Sequence, residues 1–471
     1  MISSVDLGVA IITVAITLSR DRIGRIGRIS ACHNPRMHTA AFSATSPMTA
    51  QRATEIAASF DLRLLPVDFY ANPYPVYDVL RCEQPIRKMP DGSYFLTRYA
   101  DLVTVYRDAQ TFSSDKRVEF GPKYGATSPL FEHHTTSLVF NDPPLHSRVR
   151  QLIMGALARR SIDAMQPALI TLVDHLLDRL ESNGGGDLIE EFAAAIPIEV
   201  IGNLLGVPRA DRGPLRGWSL AILGALEPQL SAAQQALGNL AVTEFSAYLR
   251  DLVAERRKRP GEPQHDVLTR LIQGESAGEI LSESELLQNC IFILNAGHET
   301  TTNLIGNALV ALQAWPDEKF KLLDTMSQGT ADSVTVDLDL AVDEFLRFES
   351  SNQLGNRRAL TVCKIGDTEL PQGALLTLCI GAANRDPAQF INPNSLDLSR
   401  GDARAGAAPN RHLAFGFGIH QCAGLSLARL EGRIAIGRFL QRLPNYRLTL
   451  APARGGRARF RGFLSAPFAV D

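Results

Sequence analysis

Net charge is almost absent from this chain: 48 lysines and arginines face 50 aspartates and glutamates over 471 residues. No global field draws it to nucleic acid or to an anionic bilayer, and a small molecule is the partner this balance leaves. Cysteines are few, and their spacing pairs none of them. Cys32, Cys82, Cys290, Cys363, Cys379 and Cys422 form neither a disulfide framework nor a zinc-type ligand set, which fits a reducing, cytoplasmic setting. A long hydrophobic run is also missing. The apolar stretch over residues 7–18 falls short of the ~20 residues a bilayer span needs. Arg20, Arg22, Arg25 and Arg28 follow it, whereas a secretory signal carries its charge ahead of the apolar segment. Residues 1–47 are accordingly read as an N-terminal extension, either a mis-set start ahead of Met37 or Met48 or a weak targeting segment. No internal repeat and no long linker divides residues 48–471, which read as one domain.

What the chain does have is 45% apolar content against 21% charged, enough to bury a large core. Prolines break it into helical stretches of varied length, and short alternating segments at residues 93–97 and 374–378 read as strands. The expected fold is mainly α with a minor β region. The clearest helix begins at Ser282, where Ser282 and Glu285 make a capping-box pattern, and runs to Pro316. It would be roughly 50 Å long. Being apolar almost all round, it is expected to cross the middle of the molecule. Gly297, His298, Glu299, Thr300 and Thr301 interrupt it with a polar knot that helix propensity would not select. A buried polar cluster needs partners or a purpose.

Near the carboxyl end, HLAFGFGIHQCAGLSLARLEGRIAIGRFL is a glycine-rich loop running into an amphipathic helix. A thiolate at Cys422 would face that helix's free N–H groups and positive dipole, which favour the deprotonated sulfur. Such a sulfur ligates haem iron and pushes electron density into it. Gly416, Gly418 and Gly424 fit places where backbone turns sharply or lies close to a flat macrocycle. Cys82, Cys290, Cys363 and Cys379 read as small buried hydrophobes.

Phe415, Gly418, Cys422 and Gly424 match Phe-x-x-Gly-x-x-x-Cys-x-Gly in every fixed position. Through this loop the chain resembles the cytochrome P450 family in its soluble bacterial type. The resemblance implies the cytochrome P450 fold, with haem b (iron protoporphyrin IX) clamped between the central helix and the Cys422 loop. It makes Cys422 the axial metal ligand, sets Gly424 and Ala296 beside the haem, and makes His420 a propionate donor. Ala296, Gly297, Glu299, Thr300 and Thr301 resemble the family's acid–alcohol motif, with Glu299 and Thr300 as the catalytic pair. His146 and Arg150, neighbours on one helical face, resemble a propionate-binding pair. Arg357 resembles a further such donor, with Arg358 beside it as the alternative. Glu344, Arg347 and Arg400 resemble the family's buried charge cluster, which is read as structural. Residues 382–387, Ala-Ala-Asn-Arg-Asp-Pro, are also family-like. Phe292, Asn295, Gln353, Leu354 and residues 111–136 are expected to shape the substrate pocket.

The implied activity is a monooxygenase that inserts one atom of O₂ into a small organic substrate. Neither a flavin-type glycine motif nor an iron–sulfur cysteine cluster is present, so electrons are expected from an external ferredoxin and an NAD(P)H-dependent reductase. Arg148, Arg159, Arg429 and Arg433 are candidate docking cations for the ferredoxin; nucleic acid and membrane are not expected partners. Two other readings are a peroxide-driven peroxygenase and a haem-binding sensor or carrier. Glu299 and Thr300 weigh against both, because a proton relay is needed where O₂ is the oxidant.

Overall fold

The helix expected from Ser282 runs over Glu283–Ala314 in a computed structural model that describes residues 49–262, 266–273 and 281–470. The extension over residues 1–47, with Cys32, lies outside the described residues. The capping box closes in both directions: Glu285 N donates to Ser282 Oγ at 3.2 Å and Ser282 N donates to Glu285 Oε2 at 2.8 Å. Trp315 caps the other end, and Pro316 opens the next helix, Pro316–Gln328.

Polar side chains along this buried helix are stitched to its neighbours. Asn289 Nδ2 donates to Glu285 O at 2.8 Å while its Oδ1 accepts from Leu138 N at 2.9 Å. Asn307 Nδ2 donates to Arg461 O at 3.0 Å, and Gln288 Oε1 faces His133 Nδ1 at 3.0 Å. These bonds offset the desolvation cost of an amide inside a core. The helix that follows Cys422, Leu425–Arg442, packs across the central helix, and Gly432 permits the approach. A Cβ there would lie 3.0 Å from Leu304 Cδ2 and 3.4 Å from both Val342 methyls. Val342 belongs to a third helix, Ala331–Phe348, so three helices meet at this point.

The two strands read from the sequence form the middle of a five-stranded sheet. Its order is Ile86–Lys88, Tyr94–Leu96, Leu375–Cys379, Leu354–Ala359, Phe112–Ser113. Tyr94–Leu96 and Leu375–Cys379 run parallel, Tyr94 opposite Leu376, and the other pairs are antiparallel. Leu96, Leu376 and Leu378 fill a second, smaller core beneath this sheet.

The expected charge cluster is closed, with Glu344 and Arg347 fully buried and Arg400 partly so. Arg347 Nε and Nη2 donate to the two oxygens of Glu344 at 2.7 and 2.8 Å, and Arg400 Nε donates to Glu344 Oε2 at 3.0 Å. Arg347 also donates to the carbonyls of Asn384, Pro393 and Ser395 at 2.9, 2.8 and 3.0 Å. One guanidinium thereby ties the Ala331–Phe348 helix to the family-like stretch and to the chain beyond it. Among the described residues no helix is long and apolar enough to cross a membrane.

Candidate functional site

The loop before the Leu425–Arg442 helix turns on two glycines, Gly416 at φ +65° and Gly418 at φ +71°. A side chain at Gly418 would strike the Tyr106 carbonyl oxygen as well as strain the backbone. Phe415 O accepts from Cys422 N at 2.9 Å and closes the loop. Gly424, the residue before the helix, has φ −92° and needs no left-handed backbone; a Cβ there would stand 3.9 Å from Cys422 Sγ. Burial raises the Cys422 thiol above its ordinary value, while the Gly424 N–H and the Arg150 and Arg429 guanidiniums pull it down without overcoming burial. The N–H at the start of the helix therefore pulls toward the thiolate while burial opposes it. A metal ion bonded to the sulfur deprotonates it outright.

Beside this loop lies a surplus of hydrogen-bond donors. His146 and Arg150 share the helix Leu145–Ala156, and the His146 and His420 rings are 4.1 Å apart between centroids. Neither ring nitrogen of His146 has a partner, and His420 Nε2 has none. Arg357 is buried; its Nη1 donates only to the neighbouring Asn356 carbonyl at 2.8 Å, and its Cζ lies 5.2 Å from the Tyr106 ring centre. Arg358, next along the strand, points to the opposite face, near Asp115. Burial pushes His420 down to about 2, aided by Arg357, His146, Arg150 and Lys116. Burial likewise lowers His146, Arg150 and Arg357. Lys116, buried and 3.1 Å from Glu119, was not among the sequence-derived donors; nothing but its place in the 111–136 stretch pointed to it. Buried donors without acceptors are costly, and an anion supplying those acceptors removes the cost.

The middle of the central helix is accessible along one stripe, with Gly297 beside it. Phe292, Ala296 and Thr300, each four residues apart, are accessible in an otherwise buried helix, Ala296 most of all. Thr300 Oγ1 donates to Ala296 O at 2.7 Å, which leaves its oxygen lone pairs free to accept on that open face. Glu299 sits roughly a quarter-turn round the helix from this stripe. Its Oε1 is bonded by Arg457 Nη1, and its Oε2 has no partner. Burial raises the Glu299 pKa to about 7, with Arg457 opposing. A cavity of about 30 Å³ lies against this carboxyl, lined by His298, Thr302, Asn303, Arg216 and Arg457. Both ring nitrogens of His298, Asn303 Nδ2 and Arg457 Nη2 are unpartnered. That space holds about two waters. Arg457 is 158 residues from Glu299, beyond the reach of any motif spacing.

Other expected residues are placed differently. Phe292 lies on the open stripe, but Asn295, Gln353 and Leu354 are buried in packing. Asn295 Nδ2 faces His133 Nε2 at 3.4 Å, and Gln353 Nε2 donates to Ser350 O at 2.7 Å. Of the candidate docking arginines, Arg148 is paired with Glu285, Arg429 with Asp343 at 2.8 Å and Arg433 with Asp339 at 3.1 Å. Arg159 is almost fully exposed, 3.7 Å from Asp163.

A family model described as Cytochrome P450 matches residues 229–457. The chain is 34% identical to the biotin biosynthesis cytochrome P450 of Bacillus subtilis (strain 168) over 384 residues, 81% of this chain and 91% of the relative. It is 36% identical to the vitamin D(3) 25-hydroxylase of Pseudonocardia autotrophica over 387 residues, 81% of this chain and 89% of that protein. Among solved structures, P450BioI in complex with a hexadec-9Z-enoic acid ligated acyl carrier protein superposes with a TM-score of 0.77 at 32% identity, covering 86% of this chain and all of that one.

Proposed function

The chain belongs to the cytochrome P450 family, and on that premise we propose that it is a haem-dependent monooxygenase built on Cys422, with Ala296, Glu299 and Thr300 on the oxygen side. The observation that carries this reading is the cluster of donors beside Cys422, where the His146 and His420 rings have nitrogens without partners and the cations Arg150 and Arg357 stand with them. His146, Arg150, Arg357 and His420 fit the two propionates of a haem, Cys422 Sγ fits its iron, and Gly424 and the Ala296 methyl fit against its flat faces. When bound, haem supplies the activation of O₂, which no side chain can perform.

The side chains then hold and move protons. Thr300 Oγ1, its own hydrogen committed to Ala296 O, accepts from a water and fixes it on the open face. Glu299, poised at about 7, takes a proton from water in the adjoining cavity and releases it toward Thr300. Arg457 offsets part of the burial that raises this carboxyl. On this reading electrons come from an external ferredoxin and its NAD(P)H-dependent reductase, and Arg159 is the outward cation left of the candidate docking set. Hexadecenoic acid and vitamin D(3), named with two of the relatives, are both mostly hydrocarbon, which supports an apolar small substrate here.

The pH profile tests the reading. Turnover driven by reductant should fall as pH rises through about 7, because the donating Glu299 carboxyl loses its proton there. Glu299→Gln should remove that limb. Turnover driven by hydrogen peroxide, which brings its own protons, should lack the limb in the parent. Identical profiles for the two oxidants, unaffected by Glu299→Gln, would contradict it.

A further inference from the structure

Two cations meet at the adjacent carbonyls of Leu226 and Glu227, and neither side chain has a carboxylate bonded to it. Lys123 ends the helix Arg117–Tyr124 and is half-buried. Its Nζ donates to the backbone carbonyl of Glu227 at 2.9 Å and lies over the Tyr124 ring at 5.2 Å. Arg459, also half-buried, directs its guanidinium to the carbonyls of Leu226 and Leu354 at 3.1 and 2.6 Å and to Asn356 Oδ1. The carboxylates nearby are engaged elsewhere. Glu119 is paired with Lys116 at 3.1 Å, and the Glu227 carboxylate accepts from the Ala458 and Arg459 backbone N–H groups and lies 3.7 Å from Arg457.

A third group points to an absent acceptor. His134, on the helix Pro129–Thr136, is 1% exposed and has no hydrogen bond at either ring nitrogen. Phe120, Tyr124 and Phe140 surround it with ring centres 5.4 to 5.5 Å away. Lys123 and Arg459 are both close enough to hold it in its neutral form, after burial and His133. Two hydrogen bonds connect this position to the elements of the proposed active site. His133 meets the central helix at Asn295, the residue before Ala296, and Asn356, which receives Arg459, precedes Arg357.

We propose that Lys123 and Arg459, with His134 behind them, anchor a single carboxylate on an otherwise apolar substrate, so that the enzyme selects carboxylic acids over their neutral counterparts. Charge matching is the physical reason: a hydrogen bond between a cation and a carboxylate is about twice as strong as one between neutral groups, and more so out of water. The hydrocarbon would then lie along Phe292 and Ala296. This rests on the monooxygenase reading of the same site.

The test titrates the purified, haem-loaded full chain with tetradecanoate and with tetradecan-1-ol, reading the shift of the Soret band. The acid should bind about tenfold or more tightly than the alcohol. Lys123→Met should bring the acid to within about twofold of the alcohol while leaving alcohol affinity unchanged, and Lys123→Arg should restore the preference. Burial and Arg459 press Lys123 down to about 8, against the pull of Glu119 and Glu227, so the preference should fade as pH rises through that value. In Lys123→Arg it should persist. Equal binding of acid and alcohol by the parent, or an equal loss of both in Lys123→Met, would overturn the proposal. If neither ligand shifts the band while the reduced carbon monoxide complex keeps its thiolate signature, the carboxylate anchor fails and the haem reading stands. Loss of that signature is what would sink the haem reading itself.

Discussion

Cys422→His is expected to bind haem and yet lose the long-wavelength band of the reduced carbon monoxide complex. The two outcomes separate because different residues govern them. On the proposed reading, haem retention rests on His146, Arg150, Arg357 and His420, none of which depends on the sulfur. The band rests on thiolate donation, which imidazole does not supply. The other described cysteines are poor substitutes. Cys290 and Cys379 are fully buried in apolar packing that pushes each thiol up to about 12, while Cys363 lies in a short hairpin strand and Cys82 is exposed. The measurement is a carbon monoxide difference spectrum of purified parent and variant. A band retained in Cys422→His would assign the ligand to another cysteine.

Arg347→Ala should cost about 3–5 kcal/mol of stability, the range for breaking a buried pair by removing one partner. Whole domains hold only about 5–15 kcal/mol, so a substantial share of the margin goes. The loss has two parts. Glu344, fully buried, keeps only Arg400 Nε at 3.0 Å, Asp397 N at 3.0 Å and Asn410 Nδ2 at 3.2 Å. The carbonyls of Asn384, Pro393 and Ser395 lose their shared donor. Arg347→Lys should rescue little, because an ammonium cannot reproduce the fork that meets both oxygens of Glu344. The urea midpoint of the haem-loaded protein reads the effect directly. A midpoint unchanged in Arg347→Ala would mean that this network does not hold the helix to the stretch it touches.

Local rules made much of this architecture visible in advance. The Ser282 capping box, the alternating segments at residues 93–97 and 374–378, and the i, i+3 pairing of Glu344 with Arg347 each depend on neighbours a few residues apart, and the structure contains all of them. The donors His146, Arg150, Arg357 and His420 were nameable one by one from the resemblance, although only the fold shows that the His146 and His420 rings meet and leave ring nitrogens without partners. What was not visible depends on packing. Arg457 reaches Glu299 across 158 residues, and Lys116 joins the donor cluster only because the 111–136 stretch folds back over it. Asn295 and Gln353 were expected in the substrate pocket, but each is turned into hydrogen bonds inside the core. Arg148, Arg429 and Arg433 read as free surface charges in a sequence, yet acids elsewhere in the chain pair with them.

If O₂ is activated with a proton delivered at Thr300, the product formed per reducing equivalent should change in Thr300→Ala. The substitution removes one back-bond to Ala296 O, a contact of little consequence for the helix. The haem spectrum, substrate binding and NAD(P)H consumption with the redox partners should therefore persist. Product should fall about tenfold or more, as when a positioned proton donor is lost, and hydrogen peroxide should rise in its place. Unchanged coupling in Thr300→Ala, with no added peroxide, would contradict delivery of the proton at Thr300.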